Sequence, residues 1–333
     1  MNSTLTPSAA VAAAPLTTST TAAPCIGRAL VAAARLLLAD IERGVRIDAP
    51  ILRTAMISAF GGSDSEGAWD WKTAYDACEA AQILFLRKFG PAMRSRAGSP
   101  ALLLAMLAKV ASLLPTHTRR SEESQALQQF STPIGLGFAA SVAAAITPSD
   151  LVLEPSAGTG LLAILAELAG GRLVLNEPAD TRAELLEHLF AGIAVTRHDA
   201  AHIHDHLDAT LRPTVVLMNP PFSAAAHVDG RVADAALRHI SSALTRVAEG
   251  GRLVAITGAR ICPDNPCWRD AFIRLQERGR VVFTAAVDGR VYARHGTTWR
   301  RVSPSSTASR PKTRPYSRRR RRSRPTSPCC WIG

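Results

Sequence analysis

Short apolar runs alternate with longer helical stretches in the second half of the chain, and this alternation limits the fold more than any other feature. The predicted order is strand 151–153, helix 160–168, strand 172–176, helix 179–190, strands 194–197 and 214–218, helix 229–248, strand 252–257, helix 266–278 and strand 280–285. Such alternation predicts an α/β fold with a parallel, Rossmann-like sheet and helices on both faces. Ligands of these sheets bind where strands end, so the residues after each strand are the candidates for chemistry.

Residues 25–116 have helical spacing instead and predict a small helical domain ahead of the sheet. Three helices are expected over residues 49–60, 69–89 and 100–114, after a first one around residues 29–41, with Gly61-Gly62 and Gly90-Pro91 as helix ends. Five aromatic residues occur in this region, and a core is the simpler interpretation of them than a nucleic-acid-stacking surface: Trp69, Trp71, Tyr75, Phe85 and Phe89.

Both ends of the chain differ from the body in composition. Residues 1–24 are rich in Ala, Thr, Ser and Pro and predict a disordered segment. Residues 299–333 form an Arg-rich stretch, also predicted to be disordered, and they contribute eleven of the twelve net positive charges. Two interpretations of this tail stand: an arm that binds nucleic acid through phosphates, or a frame-changed or truncated end.

Several protein classes do not fit the composition. Apolar runs are too short for a transmembrane helix, so no membrane partner is expected. The six cysteines lack paired CxxC spacing, which argues against zinc ribbons and disulfide frameworks and favours the cytoplasm. Four histidines between residues 198 and 206 have irregular spacing, so a solvated loop is preferred to a metal site and no metal ligand is assigned.

A glycine-rich turn follows the first predicted strand. It runs Glu154-Pro155-Ser156-Ala157-Gly158-Thr159-Gly160, and its glycines allow a ligand to approach the backbone. Glu177 ends the second strand, nineteen residues after Gly158, which is the placement of an acid that binds ribose hydroxyls. Asp199 follows the third strand and is a candidate acceptor for an adenine amino group.

The fourth predicted strand ends in Asn219-Pro220-Pro221-Phe222. Two prolines stiffen this turn and remove two backbone donors, so acceptors dominate it. The Asn219 amide oxygen and the Pro220 carbonyl can take both hydrogens of an exocyclic amino group, and Phe222 can stack on its ring. The residue pattern therefore predicts a site for a flat heterocycle with an amino substituent.

These motifs together, with Phe130-Ser131-Thr132-Pro133 before them, resemble S-adenosylmethionine (SAM)-dependent N6-adenine DNA methyltransferases. The chain also resembles the amino-terminal part of bacterial methylase–helicase fusions related to strawberry notch proteins. The resemblance implies SAM as cofactor, DNA as the nucleic-acid partner, and a helicase partner or missing helicase domain, since no Walker-type motif is present. It implies a catalytic set of Asn219, Pro220, Pro221 and Phe222, and a cofactor set of Thr132, Pro133, Glu154, Pro155, Ser156, Ala157, Gly158, Gly160, Glu177 and Asp199.

Two departures keep alternatives open. No sizeable recognition domain follows the predicted sheet, and an NPPF turn also occurs in guanine-N2 methyltransferases of ribosomal RNA. The first expectation is a SAM-dependent methyltransferase acting on adenine N6 in DNA. The alternatives are an RNA guanine-N2 methyltransferase and a noncatalytic nucleic-acid-binding or helicase-accessory module that retains the fold.

Overall fold

The computed structural model describes residues 25–116, 131–221, 224–226, 230–232, 235–258, 261–288, 290–292 and 329–332. The predictions for residues 1–24, for Phe130, for Phe222 and for most of the tail lie outside these residues. No helix in the described part is both long enough and apolar enough to cross a membrane.

Four helices form the amino-terminal segment: α1 (Ile26–Glu42), α2 (Ala49–Phe60), α3 (Trp71–Ala97) and α4 (Pro100–Leu113). Side chains of Asp48, Asp70 and Ser99 accept hydrogen bonds from first-turn N–H groups of α2, α3 and α4, as good N-caps do. The predicted end of α2 at Gly61 is confirmed, because Gly61 adopts a left-handed conformation with φ of 75°.

The third helix does not end at Gly90-Pro91, so that prediction is wrong. Helix α3 continues for six residues beyond Pro91, to Ala97. A mid-helix proline costs about 3 kcal/mol, and packing of α3 against its neighbours offsets this cost. The aromatic residues belong to the core as predicted: Trp69 and Tyr75 are buried, and Trp71, Phe85 and Phe89 pack against the same cluster.

The second half forms a seven-stranded sheet with the order β3-β2-β1-β4-β7-β9-β8. Its elements include helix α5 (Ile134–Ala144), β1 (Leu151–Glu154), α6 (Leu161–Leu168), β2 (Arg172–Asn176), α7 (Asp180–Leu189), β3 (Val195–Thr196), α8 (Ile203–His206), β4 (Val215–Met218), α9 (Ala235–Leu244), β7 (Arg252–Thr257), α10 (Arg269–Gln276), β8 (Phe283–Ala286) and β9 (Cys329–Ile332). The strands β3, β2, β1, β4 and β7 are parallel, and β9 is antiparallel to both neighbours. The predicted Rossmann-like α/β fold is confirmed.

Both faces of the sheet are covered, because successive strand residues point to opposite sides. Val152 and Val215 pack with α5 and α6 on one face. Leu153 and Val216 pack with α9 and α10 on the other. The helical segment joins the first of these layers, since one hydrophobic cluster runs from Leu30 in α1 to Phe190 after α7. The helical segment and the sheet therefore share a continuous core.

Three further elements differ from the sequence predictions. The long helix expected over residues 229–248 is limited to α9, because β5 (Ala224–Ala226) and β6 (Gly230–Val232) pair as an antiparallel ribbon before it. Helix α5 was not predicted, since it is apolar nearly all round and lacks an amphipathic pattern. Within the predicted tail, the backbone of Cys329–Ile332 forms a strand, β9, that the sequence did not indicate and that pairs with β7 and β8.

Candidate functional site

Two loops meet at the carboxyl edge of the sheet. Strands β1 and β4 are parallel neighbours, with Leu153 in register with Val216. The glycine-rich turn follows β1, and Asn219 follows β4. Because parallel strands end at the same edge, the predicted cofactor turn and the predicted catalytic turn lie side by side.

Both glycines of the turn adopt conformations that other residues rarely reach. Gly158 has φ of 57° and Gly160 has φ of 96°. A Cβ at Gly160 would lie 2.6 Å from the Phe190 ring, so this glycine is required for packing. A Cβ at Gly158 would meet nothing closer than the Arg182 guanidinium at 3.9 Å. Ser156 and Gly158 are half-buried, whereas Pro155, Ala157, Thr159 and Gly160 are buried, so the first two form the accessible part of the turn.

Glu154 lies beneath the turn rather than in front of it. Its side chain is buried and accepts a hydrogen bond from the Ala163 N–H at the start of α6, while its Oε2 atom has no hydrogen-bond partner. Burial, and then the charge of Glu177, raise the pKa of this carboxyl well above its ordinary 4.5. Glu154 therefore supports the turn from inside.

Glu177 connects the ends of the first two strands. One oxygen accepts from the Gly158 N–H at 2.7 Å and the other from the Ala179 N–H at 3.1 Å. Burial raises the pKa of Glu177, although Arg182 opposes this effect. Each carboxylate oxygen can accept more than one hydrogen bond, so capacity for a ribose hydroxyl remains beside the turn.

Asn176 was missed by the sequence analysis. Its amide nitrogen donates to the carbonyls of Pro155 at 2.8 Å and His198 at 2.9 Å. Its amide oxygen accepts from the His198 N–H and from the Thr196 hydroxyl. This fully buried side chain ties together the loops after β1 and β3, and no sequence signal distinguishes it from an ordinary strand residue.

Helix α3 adds a buried polar network behind the turn. Asp76 accepts two hydrogen bonds from Arg182, at 2.9 and 3.3 Å, and Glu79 accepts from the Thr159 hydroxyl at 2.6 Å. Lys72 lies 3.7 Å from Asp76. The helical segment therefore supplies part of the wall that positions the glycine-rich turn, which no sequence motif indicated.

Asp199 lies at the surface, on the end of β3. Its side chain is 63% exposed, accepts from the Ala201 N–H and lies 3.3 Å from His202. His239 of α9 is close enough to interact electrostatically with Asp199, and burial lowers its pKa to about 4, so its ring is neutral. Within the part of the chain that the structure describes, no group of three His, Cys, Asp or Glu residues is arranged to hold a metal ion.

The predicted catalytic turn presents one buried acceptor. The Asn219 amide nitrogen donates to the Thr132 hydroxyl at 3.0 Å, and the Asn219 Oδ1 is buried without a hydrogen-bond partner. Pro220 is buried and Pro221 is half-buried beside it. Thr132 thus contacts the predicted catalytic turn. Pro133 next to it is the N-cap of α5, and the Pro133 carbonyl accepts from the N–H groups of Leu136 and Gly137.

Comparisons with solved structures return methyltransferases. A Pyrococcus horikoshii protein assigned as an RNA methyltransferase is 17% identical, with 69% of this chain and 95% of that one covered and a TM-score of 0.43. A Listeria monocytogenes protein assigned as a class I S-adenosylmethionine-dependent methyltransferase is 11% identical, with 92% and 86% covered and a TM-score of 0.45. The tRNA m1G37 methyltransferase of M. jannaschii is 15% identical, with 61% and 50% covered and a TM-score of 0.36.

No protein-family model matches the chain, and no curated protein matches it either. Identities of 11%, 15% and 17% do not identify an activity or a substrate for this chain.

Proposed function

We propose that this protein is a SAM-dependent methyltransferase that modifies an exocyclic amino nitrogen of a nucleic-acid base, with adenine N6 of DNA as the first candidate. The observation that carries the proposal is the Asn219 Oδ1 atom, a buried acceptor without a partner at the carboxyl end of β4. Buried polar groups are nearly always hydrogen-bonded. An unpaired acceptor beside a glycine-rich turn is therefore suited to a donor that the substrate supplies.

The residues of the first three strand ends fit the cofactor. The accessible Ser156 and Gly158 backbone and the start of α6 would lie against the methionine part, and Glu177 would accept from the ribose hydroxyls. Asp199 would accept from the adenine amino group. When bound, SAM supplies the electrophilic methyl group.

Asn219 and Pro220 would prepare the nitrogen for attack. The lone pair of an adenine amino group is delocalised into the ring, which makes the nitrogen a weak nucleophile. Hydrogen bonds from its two hydrogens to the Asn219 Oδ1 and the Pro220 carbonyl would favour tetrahedral geometry and localise the pair. Catalysis would then consist mainly of positioning and electrostatic stabilisation, and a duplex target would have to be flipped out of the stack. The residue pattern assigns the stacking role to Phe222.

Calorimetric titration with SAM tests the cofactor site. We expect binding by the wild-type chain and its loss in Gly158→Asp, because that change places a carboxylate on the accessible part of the turn. Far-UV circular dichroism must show that the variant is folded. A folded wild-type chain that does not bind SAM would contradict the proposal.

Transfer of labelled methyl groups tests the substrate. DNA, RNA and protein are offered separately, and the modified nucleosides are identified after digestion. We expect N6-methyladenine in DNA, and Asn219→Ala should lower kcat on the order of 100- to 1000-fold with little change in SAM affinity. N2-methylguanine in RNA would establish the alternative substrate. SAM binding without transfer to any substrate would favour the noncatalytic module.

A further inference from the structure

Thr132 contacts the proposed catalytic asparagine, although the resemblance placed it in the cofactor set. Its hydroxyl accepts a hydrogen bond from the Asn219 Nδ2 atom at 3.0 Å, across 87 residues of sequence. Thr132 directly precedes Pro133, where α5 begins. Helix α5 packs its Leu136 and Ala140 against the sheet. The sheet core therefore fixes the position of the Thr132 hydroxyl.

With this contact in place, the oxygen of the Asn219 amide, rather than its nitrogen, is left without a partner. With Nδ2 bonded to Thr132, the other end of the amide is an acceptor, Oδ1. If the amide were rotated by half a turn, two buried N–H donors would occupy the place of one buried oxygen. The Thr132 hydroxyl would then donate to Oδ1, and the free end of the amide would be a donor that cannot accept from a base amino group.

We infer that Thr132 is a positioning residue that holds the Asn219 amide oxygen toward the substrate base, so that the site selects bases with an amino donor. This inference rests on the proposed function. The amino group of adenine, cytosine or guanine can donate a hydrogen bond to the Asn219 Oδ1 atom. The carbonyl oxygen of hypoxanthine, which replaces the adenine amino group, meets the same atom as a second acceptor and is rejected.

Two substitutions separate the hydroxyl from the shape of the side chain. Thr132→Val keeps the branched shape and removes the hydroxyl, whereas Thr132→Ser keeps the hydroxyl. A purely structural contribution would suffer from the loss of the methyl group in Thr132→Ser. A positioning role predicts that Thr132→Ser resembles the wild type and that Thr132→Val does not.

The amide can be observed without any activity. The chain has four asparagines, at positions 2, 176, 219 and 265. Labelling with ¹⁵N-asparagine therefore yields four side-chain amide pairs, and the pair that disappears in Asn219→Ala identifies Asn219. We expect this pair to shift in Thr132→Val and to keep its place in Thr132→Ser. An Asn219 pair that is unchanged in Thr132→Val would overturn the inference.

Kinetics test the consequence for the base. We expect Thr132→Val to lower kcat on the order of tenfold and Thr132→Ser to retain the wild-type value. The variant should also lose discrimination between oligonucleotides that carry adenine and hypoxanthine at the target position. Wild-type kcat and discrimination in Thr132→Val would refute the selective role. If the wild-type chain methylates no base, the proposed function fails, while the amide signals still decide whether Thr132 positions Asn219.

Discussion

Replacement of Asp76 by alanine tests the network that joins α3 to the glycine-rich turn. Asp76 and Arg182 form a bidentate pair whose side chains are 2% and 6% exposed. Removal of one partner from a buried ion pair costs about 3–5 kcal/mol, because the other charge stays buried. Arg182 retains Glu79 and Glu177 as neighbouring carboxylates, so the loss should lie near the lower limit. We expect a loss of about 3 kcal/mol in the free energy of unfolding.

Urea unfolding at pH 7, followed by circular dichroism, measures this loss directly. With an unfolding entropy of about 2.1 cal/mol/K per residue, a loss of about 3 kcal/mol corresponds to a fall in Tm of roughly 4 °C for a chain of 333 residues. Asp40→Ala is the matched control: Asp40 lies 2.6 Å from Arg43, whose side chain is 68% exposed. Exposed pairs contribute about 0–1 kcal/mol. If Asp76→Ala loses no more than Asp40→Ala, the buried network does not stabilise the fold and the reasoning is wrong.

Three other changes test neighbouring features. Gly27→Ala would place a Cβ 2.6 Å from backbone atoms of Glu184, so we expect the free energy of unfolding, measured with denaturant, to fall by about 1–3 kcal/mol. The control Gly90→Ala would meet only the flexible end of the Leu168 side chain and should lose less. Equal losses in the two variants would contradict this account. Glu154→Gln removes a carboxyl whose pKa is raised in the folded state. The free energy of unfolding of the wild type should therefore fall as the pH rises above 4.5, and the variant should show a weaker fall. Identical pH profiles of the two proteins would count against a buried, perturbed carboxyl. Asn176→Ala should lower the free energy of unfolding by about 1–3 kcal/mol and weaken SAM binding, because the carbonyls of Pro155 and His198 lose their donor. Unaltered SAM titrations would show that the loops after β1 and β3 do not need these hydrogen bonds.

The strands could be predicted because they are short, apolar and regularly separated, and β2 and β7 occur at the predicted residues. The positions of the glycine-rich turn and Asn219 followed from strand order, since both come directly after a parallel strand. Local signals failed where packing decides. Helix α3 continues beyond Pro91 because its residues pack against neighbouring elements along its length. A local sequence pattern contains no information about such packing.

Side-chain partners distant in sequence could not be predicted at all. Thr132 and Asn219 are 87 residues apart, and Asp76 and Arg182 are 106 apart. Each of these side chains is an ordinary polar residue within its own segment. Their roles appear only when the sheet brings α3, α5 and the strand ends together, so a motif gives the candidate atoms but not the groups that orient them.

The Thr159–Glu79 hydrogen bond has a consequence for how the whole chain responds to a ligand. A ligand that binds only the folded turn adds its binding free energy to the stability of whatever must be folded with that turn. Glu79 belongs to α3, and α3 ends 61 residues before Gly158 in the sequence. Cofactor binding at the turn would therefore slow hydrogen exchange in α3 as well as in α6. The amino-terminal helices would then act as a sensor of cofactor occupancy, and a chain that begins after residue 116 would lack part of the support of the proposed cofactor site.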